Sequence, residues 1–263
     1  MPVYPEQAYA HASDADIAVR PITPGDVFDA LGKGTADFWR HPSHYLFIAL
    51  IYPLVGIALA VWSAGGATFA LLYPLAAGFA LIGPVAALGL YELSRRRERG
   101  EDDDPRHALA VLHHPAIGSM TAVGLLLAVL FILWITAAGA IYEAHFAIDP
   151  PTTLMGLITE TLTTAQGWSL LFWGNLVGLI FALVVLATTV IAFPLLVDKG
   201  GSPGRAIGTS LRAFGKNPVP ILLWGAVVAL ILLIASIPLF VGLAIALPIL
   251  GHATWHLYRK LVP

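Results

Sequence analysis

The sequence has no cysteine and few charged residues, and these two shortages already narrow the class of protein. Without cysteine the chain has no disulfide, no thiolate metal site and no cysteine nucleophile. Charged side chains make up 11% of the 263 residues, whereas soluble domains carry about 25%. Hydrophobic residues reach 58%, and mean hydropathy is +0.80. These values exclude an ordinary soluble domain and a disordered chain, and they indicate an integral membrane protein.

The chain also lacks a surplus of positive charge. Its 14 Lys and Arg residues stand against 16 Asp and Glu residues, which gives a formal net charge of −2 at pH 7. A nucleic-acid-binding protein needs clustered basic residues to neutralise phosphates. The composition therefore predicts a lipid bilayer as the main partner and no nucleic acid.

Six stretches without Asp, Glu, Lys or Arg are long enough to cross a bilayer, since a spanning helix needs about 20 mostly apolar residues. They cover residues 45–62, 67–91, 121–142, 169–197, 219–235 and 238–258. The last two belong to one apolar run of about twice the length of a single span, so we divide it at residues 236–238. The sequence thus predicts an all-α, multi-pass membrane protein with six transmembrane helices.

The distribution of basic residues orients these spans. With sides assigned by alternation, all 14 Lys and Arg residues fall on one side, which is cytoplasmic by the positive-inside rule. Both termini are then cytoplasmic. Aromatic residues at the inner ends of spans, such as Tyr91, Trp255 and Tyr258, are typical of aromatic belts at the membrane surface. Residues 1–22 are predicted to be a flexible cytoplasmic tail, and 23–263 a six-helix membrane domain.

A local pattern recurs before each odd-numbered span. A capping residue followed by a proline favours a helix start. At the other end, a proline disfavours helical geometry in the residue before it and so favours a helix end. The starts are Thr23-Pro24, Asp104-Pro105 and Ser202-Pro203, and the ends are His41-Pro42, His114-Pro115 and Asn217-Pro218. The pattern suggests three repeats, each an interfacial helix followed by a transmembrane hairpin. The alternative is that the prolines only shape individual helices.

Histidines at predicted cytoplasmic helix ends are the candidate cofactor ligands, namely His252, His256, His113 and His114. His252 and His256 are four residues apart on one helix face, a spacing that suits a metal ion or an axial contact to haem. The sequence has no third ligand at fixed spacing and no haem-attachment motif. We therefore favour membrane-surface anchoring and helix capping, and predict no metal and no cofactor.

Two further groups of residues are expected to act through packing or charge. Gly174 and Gly178 form a G-x-x-x-G pair with Asn175 beside them, which predicts close helix packing within the chain and leaves an oligomer contact open. Four arginines are expected to lie at the membrane surface, next to an acidic block at 101–104. They are Arg95, Arg96, Arg97 and Arg99. The alternatives for this segment are a solvated topological anchor, or attraction to anionic headgroups while the acidic block meets a partner.

No arrangement of Ser, His and acidic residues matches a hydrolase signature, and no phosphate-binding loop is present, so the chain is not expected to be an enzyme. The absence of charged residues inside the spans disfavours a proton-coupled carrier. The leading hypothesis is a non-catalytic accessory, assembly or scaffolding factor that acts through lateral contacts, within a larger membrane protein complex. The alternatives are a small-solute channel or carrier, and a haem- or metal-binding protein that uses the histidines.

Three motifs in the last third of the chain carry a family resemblance: FPLLVD at 193–198, RAFGKNP at 212–218 and LPILGHATWHLYR at 247–259. With them, the chain resembles a bacterial family of predicted integral membrane proteins of unknown function. The resemblance is expected to extend from Pro21 onward. Some members of that family carry a label that relates them to cytochrome c oxidase. The resemblance implies a location in the bacterial inner membrane, and it assigns no activity.

Overall fold

We analysed a computed structural model of the chain, which describes residues 17–40, 56, 72–148, 151, 153–238 and 241–263. Throughout these residues the regular structure is helical and contains no strand, which confirms the all-α prediction. The predicted first span, 45–62, lies outside the described residues apart from Gly56. The beginning of the second span and residues 1–16 also lie outside them.

The described residues form ten α-helices and one 3-10 helix. In chain order these are α1 (Pro24–Arg40), α2 (Leu72–Ala86), α3 (Leu88–Glu98), the 3-10 helix (Pro105–His113), α4 (Ile117–Phe146), α5 (Leu154–Thr163), α6 (Ala165–Thr189), α7 (Ala192–Lys199), α8 (Pro203–Lys216), α9 (Pro218–Ser236) and α10 (Leu243–Leu261).

The three predicted helix starts are confirmed, and each has a capping hydrogen bond. The backbone N–H of Asp26 donates to Thr23 Oγ1 at the start of α1. Asp104 accepts from the backbone N–H of Arg106, and Ser202 accepts from that of Arg205. These side chains satisfy N–H groups that a helix start leaves without an intrahelical partner. The middle element is a 3-10 helix, whereas α1 and α8 are α-helices.

Three of the described helices are long and apolar enough to cross a membrane: Ile117–Phe146, Ala165–Lys199 and Pro218–Ser236. They correspond to the predicted third, fourth and fifth spans. In the most apolar 18-residue stretch of each helix, only 17%, 33% and 22% of the residues, respectively, are buried within the protein. Most of the apolar side chains therefore face outward. Such helices need an apolar surrounding, as an integral membrane protein has in the bilayer.

The long apolar run at 219–258 divides as the sequence predicts. Helix α9 ends at Ser236 and α10 begins at Leu243, and Ala235 packs against Leu243 and Ala246. However, α10 is not one of the three span candidates among the described helices. It carries Arg259 and Lys260 in its last turn, and twelve of its residues are buried.

The described residues fall into two compact units. Those of unit 1 lie within Met1–Pro53, Gly83–Leu125 and Leu186–Pro263, and those of unit 2 lie within Leu54–Ile82 and Leu126–Val185. The three helices α1, α3 and α10 build much of unit 1. Helix α1 lies so close to α10 that a Cβ atom added to Gly34 would stand 2.5 Å from the backbone nitrogen of Ala253. Phe38 of α1 joins Leu90 and Leu93 of α3 in an adjoining hydrophobic cluster.

The segment before α1 is also held within unit 1. The backbone N–H of Arg20 donates to the carbonyl of Leu261 at 2.8 Å. The side chain of Asn217 accepts from the N–H of Ile22 at 2.8 Å and donates to the carbonyl of Arg20 at 3.1 Å. Residues 20–22 therefore contact the ends of α8 and α10. The division of the chain at residue 22 stays a prediction, because residues 1–16 lie outside the described part.

Trp134 of α4 organises unit 2. Its indole N–H donates to the carbonyl of Pro74 in α2 at 2.8 Å, and its ring lies 5.9 Å from that of Phe181 in α6. Cβ atoms added to Gly78 and Gly178 would stand 2.8 and 3.0 Å from this ring. The two glycines therefore let α2 and α6 approach one large side chain.

Candidate functional site

The arginine block of α3 lies partly inside unit 1. Glu92 is completely buried and accepts two hydrogen bonds from Arg95, at 2.7 and 2.9 Å. It also accepts one from Arg96 at 2.9 Å. Arg95 and Arg96 are 3% and 6% exposed. One carboxylate thus binds two buried guanidinium groups, and such an arrangement is stable only while all three charges are present.

The other two arginines are more exposed and also have acidic partners. Arg97 pairs with Asp103 at 2.8 Å and lies 3.6 Å from Asp37. Arg99 lies 3.4 Å from Asp198 of α7. Because Arg95 and Arg96 are buried, contact of this block with lipid headgroups would depend mainly on Arg97 and Arg99. That contact stays a prediction.

The structure places His252 and His256 on one side of α10, with different partners. The Nδ1 atom of His252 lies 2.5 Å from the hydroxyl of Ser94 in α3, and both residues are buried. The Nε2 atom of His256 lies 2.7 Å from a carboxylate oxygen of Asp37 in α1. The two imidazoles therefore connect α10 to two neighbouring helices.

Asp37 remains a carboxylate in this cluster although it is 7% exposed. Burial alone would raise the pKa of Asp37. The hydrogen bond from His256 and the positive charge of His252, His256 and Arg97 together outweigh this effect, so the pKa lies below its usual value. A carboxylate can only accept, so the Nε2 atom of His256 carries the proton in this bond. The lowered pKa stabilises the folded protein fully at pH values above the usual pKa of Asp. This stabilisation is lost as the pH falls through the lowered pKa of Asp37.

His113 and His114 end the 3-10 helix and differ in environment. His113 is exposed, whereas His114 is 1% exposed. The Nδ1 atom of His114 accepts from the backbone N–H of Ala116 at 3.1 Å, just before α4. Burial lowers the pKa of His114, which suits the neutral form that this bond requires. Over the described part of the chain, no group of three or more His, Asp or Glu residues could hold a metal ion.

Two aromatic residues of α10 lie inside the protein, and their prediction as belt residues is wrong. Trp255 and Tyr258 are 1% and 0% exposed. The indole N–H of Trp255 donates to Glu98 at 3.1 Å, and the hydroxyl of Tyr258 donates to Asp198 at 2.7 Å. Acidic residues of α3 and α7 satisfy these polar atoms, which explains how the rings can be buried.

We group these contacts of α1, α3, α7 and α10 under one name, the polar cluster. It consists of Asp37, Glu92, Ser94, Arg95, Arg96, Arg97, Glu98, Asp198, His252, Trp255, His256 and Tyr258. Its members come from α1, α3, α7 and α10. Its chemistry is that of ion pairs and hydrogen bonds that join four helices.

Sequence reasoning identified the arginines and histidines of the polar cluster but missed several of their partners. Glu92 could have been found, because it lies three and four residues before Arg95 and Arg96, the spacing of neighbours on a helix. Asp37 and Ser94 gave no such signal. They lie 219 and 158 residues from the histidines that they contact.

The three packing residues of α6 have separate environments in unit 2. Gly178 faces Trp134, whereas a Cβ atom added to Gly174 would meet no atom of the described residues within 4 Å. The Asn175 amide accepts from the Tyr73 hydroxyl at 2.9 Å and donates to the Leu171 carbonyl at 2.8 Å. Gly178 is therefore in close contact within the chain, and Gly174 borders open space.

A family model described as "Predicted integral membrane protein (DUF2189)" matches residues 72–198. The resemblance was expected from Pro21 onward, and of the three quoted motifs only the one at 193–198 falls within the match. No curated protein and no solved structure matches the chain. Residues 72–198 are therefore similar to the DUF2189 family of predicted integral membrane proteins, whose function is unknown.

Proposed function

We propose that this protein is a non-catalytic accessory, assembly or scaffolding factor of the bacterial inner membrane that acts through lateral contacts with a larger membrane protein complex. The observation that carries the proposal is the outward face of α6. We define this face as Trp168, Phe172, Trp173, Leu176, Leu179 and Ile180. Their exposed fractions run from 38% to 62%.

The outward face of α6 lies opposite the side that packs within unit 2. At 100° per residue, Phe172, Leu176 and Leu179 share one side of the helix, and Gly174 and Gly178 lie across from them. The rings of Phe172 and Trp173 are 5.3 Å apart and meet edge to face. Clustered aromatic residues are typical of the energetically dominant part of protein interfaces.

The polar cluster supports a structural role for the charged residues. Glu92 is bound by two arginines, Asp37 by His256, and Asp198 by Tyr258. The bonds of Asp37 and Asp198 connect helices of unit 1 to one another, whereas Glu92 and its two arginines all lie in α3. Three of the histidines that sequence analysis considered for cofactor binding, His114, His252 and His256, thus have partners within the fold, which favours a non-catalytic protein.

The finer topology is part of this proposal. We infer six spans with both termini in the cytoplasm, because three of the predicted spans correspond to helices of spanning length and all basic residues fall on one side when six spans alternate. In this topology the polar cluster lies at the cytoplasmic ends of its helices.

The lateral-contact role can be tested by replacing Phe172 and Trp173 together with alanine. We expect the double variant to insert normally and to recover partner chains at least about tenfold less well after mild detergent extraction, since losing interface aromatics costs about 2 kcal/mol or more. The measurement is quantitative identification of chains that co-purify with the full-length protein.

The matched control replaces Ile132 and Leu133 of α4, which are 62% and 51% exposed. This control should keep its partners. Equal recovery from the α6 variant and the wild type, or an equal loss in both double variants, would contradict the proposal. Specific solute flux through vesicles that contain only this protein would favour a channel or carrier instead.

A further inference from the structure

Unit 2 contains a cavity of about 280 Å³ that is bounded by α2, α4, α5 and α6. Helix α4 contributes Trp134 and Ile141, helix α5 contributes Ile158 and Leu162, and helix α6 contributes Leu171 and Gly174. This cavity is separate from the outward face of α6 and belongs to a different unit from the polar cluster. It provides the open space that Gly174 borders on the glycine face of α6.

Several polar atoms in the cavity wall are already hydrogen-bonded within unit 2. Asn175 accepts a hydrogen bond from the Tyr73 hydroxyl and donates one to the carbonyl of Leu171, and the indole N–H of Trp134 donates to the carbonyl of Pro74. A polar ligand would have to compete with these bonds. The remaining wall is largely hydrocarbon, so the cavity favours an apolar occupant.

The size and surroundings of the cavity identify the class of occupant. Drug-sized ligands occupy pockets of about 300–1,000 Å³, and this cavity is at the lower limit of that range. It therefore suits one hydrocarbon chain better than a complete lipid. Ile158 and Leu162 in its wall are 43% and 54% exposed, so the wall continues to the outer surface of unit 2. In a membrane, that surface meets phospholipid acyl chains.

We propose that the cavity holds one acyl chain of a membrane phospholipid, with its headgroup outside the cavity. The apolar wall provides hydrophobic contact, and the amphipathic helix α5 forms the side nearest to the predicted external membrane surface. This site goes beyond the proposed lateral contacts, because it requires neither the outward face of α6 nor a partner chain.

Gly174 gives a direct test, because a leucine side chain at this position would project into the open space that the cavity provides. Gly139 of α4 offers a matched control. It also has no atom of the described residues within 4 Å of an added Cβ, and it does not line the cavity. Both substitutions add the same side chain to a spanning helix of unit 2.

The experiment uses the full-length protein in vesicles that contain phosphatidylethanolamine with a photoreactive diazirine at the end of one acyl chain. Illumination followed by peptide mapping locates the labelled residues. We expect strong labelling of the cavity wall in the wild type and in Gly139→Leu, and about tenfold less in Gly174→Leu. Labelling of exposed Leu230 on α9 provides the internal standard for all three proteins.

A second variant guards against a folding defect in Gly174→Leu. Leu162→Trp enlarges a partly exposed wall residue on α5 and should also reduce labelling of the cavity wall. Cavity labelling that neither variant reduces, or that never exceeds labelling at Leu230, would overturn the proposal. Crosslinks from the cavity wall to another protein segment instead of the lipid probe would overturn it as well. This experiment does not depend on partner recovery. The acyl-chain proposal can therefore fail while the lateral-contact proposal stands.

Discussion

Replacing Glu92 with glutamine is expected to destabilise the protein by about 3–5 kcal/mol, because the change leaves two buried guanidinium groups without their shared carboxylate. Arg95 and Arg96 both bind Glu92 at 2.9 Å or less, and all three side chains are at most 8% exposed. The measurement is the thermal unfolding midpoint of the full-length protein in detergent, compared with that of the wild type.

Glu101→Gln is the matched control for this experiment. Glu101 lies 3.7 Å from Arg96, and its side chain is 41% exposed. Exposed ion pairs contribute at most about 1 kcal/mol, so this control should unfold close to the wild-type temperature. Similar midpoints for the two variants would show that Glu92 does not hold the two buried guanidinium groups.

The second large effect is expected from Gly34→Ala in α1. The added Cβ atom would stand 2.5 Å from the backbone nitrogen of Ala253 and 2.6 Å from the carbonyl oxygen of Ile249. These are backbone atoms of α10 and cannot rotate away, so the two helices must separate. Overpacking of this kind costs about 1–3 kcal/mol and should lower the unfolding midpoint in detergent by several degrees.

Gly32→Ala separates the effect of packing from that of helix propensity. Gly32 lies two residues earlier on α1, is exposed, and has no atom of the described residues within 4 Å of an added Cβ. Alanine there should stabilise the helix by up to about 1 kcal/mol, since glycine is a poor helix former. If both alanine variants raised the midpoint, the close packing of α1 on α10 would be wrong.

Features that depend on adjacent residues were predictable from the sequence. Helix starts at Thr23-Pro24, Asp104-Pro105 and Ser202-Pro203 could be predicted because a capping side chain bonds N–H groups two or three residues later. The apolar helices α4, α6 and α9 could be predicted because membrane spans need long uncharged runs. Both kinds of signal require no knowledge of distant contacts.

The polar cluster was less predictable because its bonds join residues that are far apart in sequence. A block of four arginines within five residues is typical of a solvated surface, yet Glu92 brings two of them into the interior. Trp255 and Tyr258 are placed at a helix end, as belt aromatics are, but Glu98 and Asp198 allow them to be buried by accepting their hydrogen bonds. Composition and spacing alone do not distinguish these environments.

Site-directed labelling of single cysteines tests the central topology most directly, since the natural chain has no cysteine. The variants are Gly65→Cys, His113→Cys, Ile148→Cys and Pro263→Cys, each treated with a membrane-impermeant maleimide before and after permeabilisation of right-side-out spheroplasts. Six spans with cytoplasmic termini predict that positions 65 and 148 react at once, and that positions 113 and 263 react only after permeabilisation. Immediate reaction at 113 or 263, or protection of 65 or 148 until permeabilisation, would contradict this topology.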